Sequence, residues 1–184
     1  MALRKILTEP NKLLREKSLV VEEVNEDLQK LMDDMLETMY TAPGIGLAAI
    51  QVGVPKRVIV LDIGWRDKSE SQNDKREEKR NPMYFVNPEI IEKSQNNSTY
   101  EEGCLSVPGQ FAEINRPDKC HVKYLDYYGH PKEIKAEGML ATCIQHEIDH
   151  LEGILFIDYL SKLKKSMIVK KLSKHQKEIE RIVV

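Results

Sequence analysis

Three cysteines in 184 residues, at unrelated spacings, do not make a disulfide framework, and a reducing compartment would keep them as thiols. No apolar run approaches the length of a membrane span. The opening Met1-Ala2-Leu3-Arg4-Lys5-Ile6-Leu7 turns polar too quickly to read as a secretory signal. No internal repeat is visible, and no linker divides the chain. These absences argue against a stapled secreted fold, a membrane protein and a repeat array. The expectation is a cytoplasmic chain forming one domain over residues 1–184, with room for a sizeable core.

Net charge is also small, at a formal −2, although charged residues are plentiful and unevenly placed. Residues 161–184 carry eight Lys or Arg against two Glu, a net +6 that leaves −8 on the rest. In that tail Leu160, Leu163, Met167, Ile168, Leu172 and Ile179 make a rough apolar stripe, which predicts an amphipathic C-terminal helix. Its basic face would attract phosphate-rich RNA, and a solvated surface helix is the plain alternative. Arg66 to Arg80 holds almost nothing apolar and reads as a solvated loop rather than a binding patch.

The patterning predicts an α+β fold, with mixed or antiparallel sheets around a central helix and a helix at the C-terminus. Leu28, Leu31, Met32, Met35, Leu36 and Met39 recur at helical spacing after Asn25, with Glu26 and Asp27 in the favourable first turn. Those methionines read as core packing. Residues 57–63, Tyr84-Phe85-Val86 and the stretch from Cys120 to Asp126 read as strands. Tyr128-Gly129 supplies a turn before a strand from Lys132 to Ala136, and Gly138 opens a further helix. The segment from Gly44 to Gly53 reads as a glycine-permitted turn running into a small-residue segment that ends at the Gln51 amide, with a tight turn before a packed helix as the plain alternative.

That further helix carries Gln145-His146-Glu147-Ile148-Asp149-His150, an HExxH pattern. Residues four apart share a helix face, so His146 and His150 can grip one metal ion. Glu147 lies to the side of that face, where it can take a proton from a water on the metal. An ordinary amphipathic helix with two solvated histidines is the alternative. A third histidine in the extended protease spacing would fall at Phe156, so that route is closed. Glu178 and Glu180 sit among lysines and read as solvated charges. Upstream stands Cys104, in Glu102-Gly103-Cys104-Leu105-Ser106. Its thiolate would complete a Cys-His-His set with one position open, as a catalytic site requires. Cys120 and Cys143 read as buried apolar fillers, and a filler is the alternative for Cys104 too.

Three segments, GIGLAAIQ from Gly44, EGCLS from Glu102 and QHEIDH from Gln145, stand in this order. Together they resemble the peptide deformylases, with further matches at Val86-Asn87-Pro88 and from Leu155 to Tyr159. The resemblance implies removal of the formyl group from the N-terminal formyl-methionine of new polypeptides, with release of formate. It implies Cys104, His146 and His150 as metal ligands and Glu147 as the catalytic base and acid. The Gln51 side chain and the Leu105 backbone N–H would receive the oxyanion. Gly44, Ile45, Gly46, Gly103, Met139, Thr142 and Cys143 would bind substrate, with Gly46 leaving room for its backbone. Arg116 would pair with Glu102 behind the ligands. The implied cofactor is Fe2+, with Zn2+, Ni2+ or Co2+ as replacements, and the implied partner is the ribosome, met through the basic tail. Thr142 is more polar than the family pattern, and Phe111 stands where that pattern has a basic residue. A peptidase acting on unformylated peptides, and a structural metal or RNA-binding protein, are the other two classes to weigh.

Overall fold

A computed structural model describes residues 2–64 and 80–182, with side chains to residue 174. The charge-biased segment therefore lies outside the described residues apart from Arg80, and the side chains of Glu178, Ile179 and Glu180 do so as well.

Helix α1, Glu26–Thr41, begins where the Asn25 side chain accepts from the Leu28 backbone N–H at 3.0 Å. Such a cap is typically worth about 1 kcal/mol. Its apolar face buries Leu28, Leu31, Met32, Met35 and Met39, as the spacing predicted. Leu36 is only partly buried at the margin of the same cluster.

Five strands form one antiparallel sheet in the order β1-β2-β3-β6-β7. They are β1 Gly46–Ala48, β2 Val58–Leu61, β3 Met83–Lys93, β6 Lys119–Leu125 and β7 Pro131–Glu137. Strand β2 is buried at every position and reads in sequence as a continuous apolar run. Strand β3 runs well past the apolar Tyr84-Phe85-Val86, because its later residues alternate with charge at the half-exposed edge. The segment after Gly44 is not a packed α-helix. It forms β1 and then a single 3-10 turn, Ala49–Val52.

A second, two-stranded sheet pairs β4, Asn97–Cys104, with β5, Val107–Pro117. Its sequence is mostly polar and was not legible as strand. Cys104 ends β4 beside the tight turn at Leu105-Ser106, and the pairing slips in register between Gly103 and Cys104.

Helix α2, Gly138–Leu151, lies against the larger sheet. Ala141, Ile144, Ile148 and Leu151 join Ile59, Leu61, Phe85 and Val122 in one core cluster, so the histidine-bearing helix is central, as expected. It stops at Gly153, which follows the C-cap Glu152 with φ +74. A Cβ there would strike the Arg15 carbonyl, so both backbone sign and space call for glycine.

Helix α3, Lys162–Ile182, docks through Ile168, Val169 and Leu172 on Val107, Ile114 and the segment Leu155–Ile157, with Leu160 just ahead of the helix packed on the same cluster. Leu163 and Met167 are exposed, at 72% and 63%, so the predicted stripe is narrower than the sequence suggested. Val169 completes the packed face instead.

Candidate metal centre and substrate cavity

His146 and His150 lie one turn apart on α2, with ring centroids 5.1 Å apart. Cys104 reaches them from the end of β4, its Sγ 3.2 Å from His150 Nε2. The three ligand atoms lie within 4.8 Å of one another. They meet because the hairpin turn presents Cys104 to the helix face that carries both histidines.

The donor set fits a cation. His146 Nδ1 is hydrogen-bonded to Glu102 Oε2 at 2.8 Å, and as the donor it leaves the Nε2 lone pair for a metal. Burial opposes a charged ring at His146, but hydrogen bonds to Cys104 and Glu102 outweigh it and lift its pKa well above the usual value. Burial and the neighbouring His146 push His150 well below it. Without a metal the cluster favours a proton on His146 and a neutral His150, so a cation held through His146 Nε2 would displace that proton.

Glu102 is itself fixed. Arg116 Nε and Nη2 reach its two oxygens at 2.5 and 3.0 Å, and both side chains are buried. The expected pairing behind the ligands is present. Burial alone would raise the Glu102 pKa, but hydrogen bonds from His146 and Arg116 hold it below the ordinary carboxylate range.

Glu147 is 4% exposed, and its Oε2 has no hydrogen-bond partner among the described residues. Burial is the main cause that lifts its pKa to about 7, opposed by the charge on His146. A carboxyl poised near neutrality is suited to taking and returning a proton. Gln51 is oriented from both ends of its amide. Its Oε1 accepts from the Ala48 N–H at 2.8 Å, which fixes the flip. Its Nε2 then lies 3.0 Å from Ser106 Oγ and 3.5 Å from Cys104 Sγ, aimed at the cluster.

These groups line a cavity of about 550 Å³. Its walls include Gly44, Ile45, Gly46, Gly103, Leu105, Thr142 and Cys143, while Arg116 and His150 stand behind it. Thr142 and Cys143 are buried walls, whereas Met139 is 43% exposed at the mouth. The Thr142 hydroxyl is buried without a protein partner among the described residues. Phe111 is 67% exposed on the rim, its ring covering the face of Gly103.

Gly46 lines the cavity and has a second neighbour there. A Cβ there would overlap Glu147 Oε1 and come within 2.9 Å of Cγ and Cδ, so glycine makes room for the carboxylate first. Gly46→Ala is expected to retain metal and lose about 10²-fold in turnover, the usual consequence of a 1 Å misplacement. Parallel metal analysis and formate release will check it; unchanged turnover would show that the carboxylate tolerates the shift.

Sequence reasoning passed over three residues as individuals: Ser106, which holds Gln51, and Asp149 and Tyr159, which reach Arg116. All three lie inside segments quoted for their pattern, but nothing in spacing reveals a hydrogen-bond partner on another element.

The sequence profile of the family described as polypeptide deformylase matches residues 3–166. The chain belongs to this family. The peptide deformylase of Pelagibacter ubique (strain HTCC1062) is 66% identical over 174 residues, covering 95% of each chain. That of Maricaulis maris (strain MCS10) is 56% identical over 181 residues, covering 98% of each. Among solved structures, the peptide deformylase of Ehrlichia chaffeensis in complex with actinonin superposes with a TM-score of 0.86 at 44% identity. That match covers 95% of this chain and 98% of the other. The enzyme is thus a metal-dependent hydrolase that removes the formyl group from the formyl-methionine of newly made polypeptides and releases formate. The peptidase and structural-metal classes fall away. Among the described residues no helix is long and apolar enough to cross a membrane.

Proposed function

We propose that Cys104, His146 and His150 hold a ferrous ion and that Glu147 carries the proton of the deformylation. The observation that carries the reading is the closeness of the three ligand atoms, within 4.8 Å, with Glu147 beside His146 in the cavity wall. A divalent cation held there supplies Lewis acidity and a lowered pKa for a water molecule. Glu147 accepts one proton as the water oxygen bonds to the formyl carbon. It returns that proton to the amide nitrogen as the C–N bond breaks, leaving a free amine and formic acid, which ionises to formate. Gln51 Nε2 and the Leu105 backbone N–H receive the oxyanion, and a donor in this role is typically worth about 2.7–4 kcal/mol of barrier. Ile45, Thr142 and Cys143 enclose the methionine side chain, with Met139 at the mouth and Gly44 and Gly103 flanking its backbone.

Thiolate and imidazole donors suit zinc as well as iron, so the ferrous assignment leans on the family resemblance. It is testable through oxygen, because a thiolate beside an open iron position is prone to oxidation. Aerobic purification is expected to lower activity, and anaerobic ferrous reconstitution or nickel substitution to restore it. Zinc and cobalt are the other replacements to compare. Activity indifferent to both metal and oxygen overturns iron.

The chain is read as one catalytic domain, with 161–184 a basic tail packed on it. Action on newly made polypeptides supports reading it as a cytoplasmic enzyme that meets the ribosome. Lys162, Lys164, Lys170 and Lys171 are exposed on α3, while the helix's apolar side is packed, so cutting the tail would uncover core. Replacing these four lysines by glutamine tests the contact without that damage. Deformylation of a short peptide should be unchanged, and ribosome affinity should fall with a shallower salt dependence. Equal affinity at low salt for both proteins excludes the tail.

A further inference from the structure

The hydrogen bonds behind His146 do not stop at Arg116. Arg116 Nη1 donates to Asp149 Oδ2 at 2.7 Å, and the Tyr159 hydroxyl donates to the same oxygen at 2.8 Å. The Tyr159 ring also lies 4.8 Å from the guanidinium carbon, within cation–π reach. Asp149 belongs to α2, Arg116 to β5 and Glu102 to β4, while Tyr159 closes the 3-10 turn Phe156–Tyr159 that precedes α3. The same turn places Phe156 alongside His146, with centroids 6.4 Å apart and an interplanar angle of 24°.

We infer that Asp149 and Tyr159 are positioning residues of the metal centre, holding the Arg116 plane and through it the Glu102 carboxylate that aims His146. The inference rests on the reading of His146 as a metal ligand. One carboxylate, Glu102, would already neutralise Arg116, so a second acceptor and a phenol add orientation rather than charge balance. A guanidinium is planar and rigid, so fixing Nη1 fixes Nε and Nη2 as well. Glu102 Oε2 is shared between Arg116 Nη2 at 3.0 Å and His146 Nδ1 at 2.8 Å. A rotation of the guanidinium therefore moves the acceptor that sets the imidazole ring. Asp149 is 18% exposed at its side chain and could turn toward water if Tyr159 released it. The turn that ends in Tyr159 also meets α3, with Phe156 and Ile157 in the same core cluster as Leu172, so seating of the C-terminal helix and order at the metal share one turn.

The test uses full-length protein loaded with cobalt(II), whose release to a chelator and ligand-field absorption can both be followed. Asp149→Asn is expected to release cobalt roughly 10–100-fold faster, the range typical for outer-shell partners, with a changed absorption band. Tyr159→Phe keeps the ring over Arg116 and removes only the hydroxyl, and should show a smaller acceleration of roughly 3–10-fold, one bond further out. In both, kcat for a formyl-methionyl peptide should fall while KM stays within about twofold. His146→Ala is the reference: if it holds cobalt as wild type does, the assignment of the ligand fails first. If His146→Ala loses cobalt while Tyr159→Phe and Asp149→Asn keep wild-type release rates and spectra, the positioning roles alone are overturned. Should Asp149→Asn fail to fold, Tyr159→Phe decides the matter by itself.

Discussion

Cys104→Ala is expected to lose both metal and deformylase activity while keeping the fold. The thiolate is one of three ligands, and the remaining two imidazoles share one helix face, so nothing on the hairpin side would close the site. Loss of an outer-shell partner commonly costs 10–100-fold in metal affinity, so loss of a ligand should exceed about 100-fold. Alanine suits the position structurally: Cys104 is only half-buried at the end of β4, and the hairpin is held by backbone pairing on both sides of it. Metal analysis after dialysis against a weak chelator, with a thermal melt of the metal-free proteins, separates the two effects. Wild-type metal content in the variant would remove Cys104 from the ligand set. Equal loss of metal from Cys143→Ala would be as damaging, because Cys143 is a fully packed wall whose burial raises its thiol pKa well above the usual value.

What the sequence disclosed follows from where the chemistry is local. His146, Glu147 and His150 are set by one helix, so a spacing of four carries their geometry. The same holds for α1, whose cap and stripe lie within its own residues. Cys104 could be placed only through pattern, because its approach to His150 depends on a hairpin whose strands alternate weakly and are mostly polar. Gln51 shows the limit more sharply. Its motif was visible, but its orientation comes from Ala48 on one side and Ser106 on the other, and the latter lies 55 residues away in sequence. Gly46 was legible as a close approach, but the atom approached is Glu147, which only tertiary structure identifies. The tail was read with too wide a stripe, since helical periodicity cannot tell that Leu163 and Met167 overhang the edge of the core while Val169 faces it.

Glu147→Gln separates proton transfer from metal binding. The variant is expected to retain its metal, because Cys104, His146 and His150 are untouched, and to lose roughly 10²–10⁴-fold in turnover with general acid–base catalysis removed. It also carries an expectation for stability that runs the other way. Burial raises the Glu147 pKa from 4.5 to about 7 in the folded, metal-free protein. The unfolded chain therefore ionises first, and between those two values the native state binds more protons. The Glu147 contribution to folding stability of the metal-free wild type should fall as pH rises through that window, by on the order of 3 kcal/mol, and level off above it. A glutamine cannot ionise, so this loss should vanish in the variant. The metal-free variant is thus expected to melt higher than metal-free wild type at pH 8, with the gap closing toward pH 4. Formate release from a formyl-methionyl peptide and paired melts across pH check both halves. Near-normal turnover would remove Glu147 from the chemistry, whereas a pH-independent gap in melting would remove its raised pKa and leave the catalytic role standing.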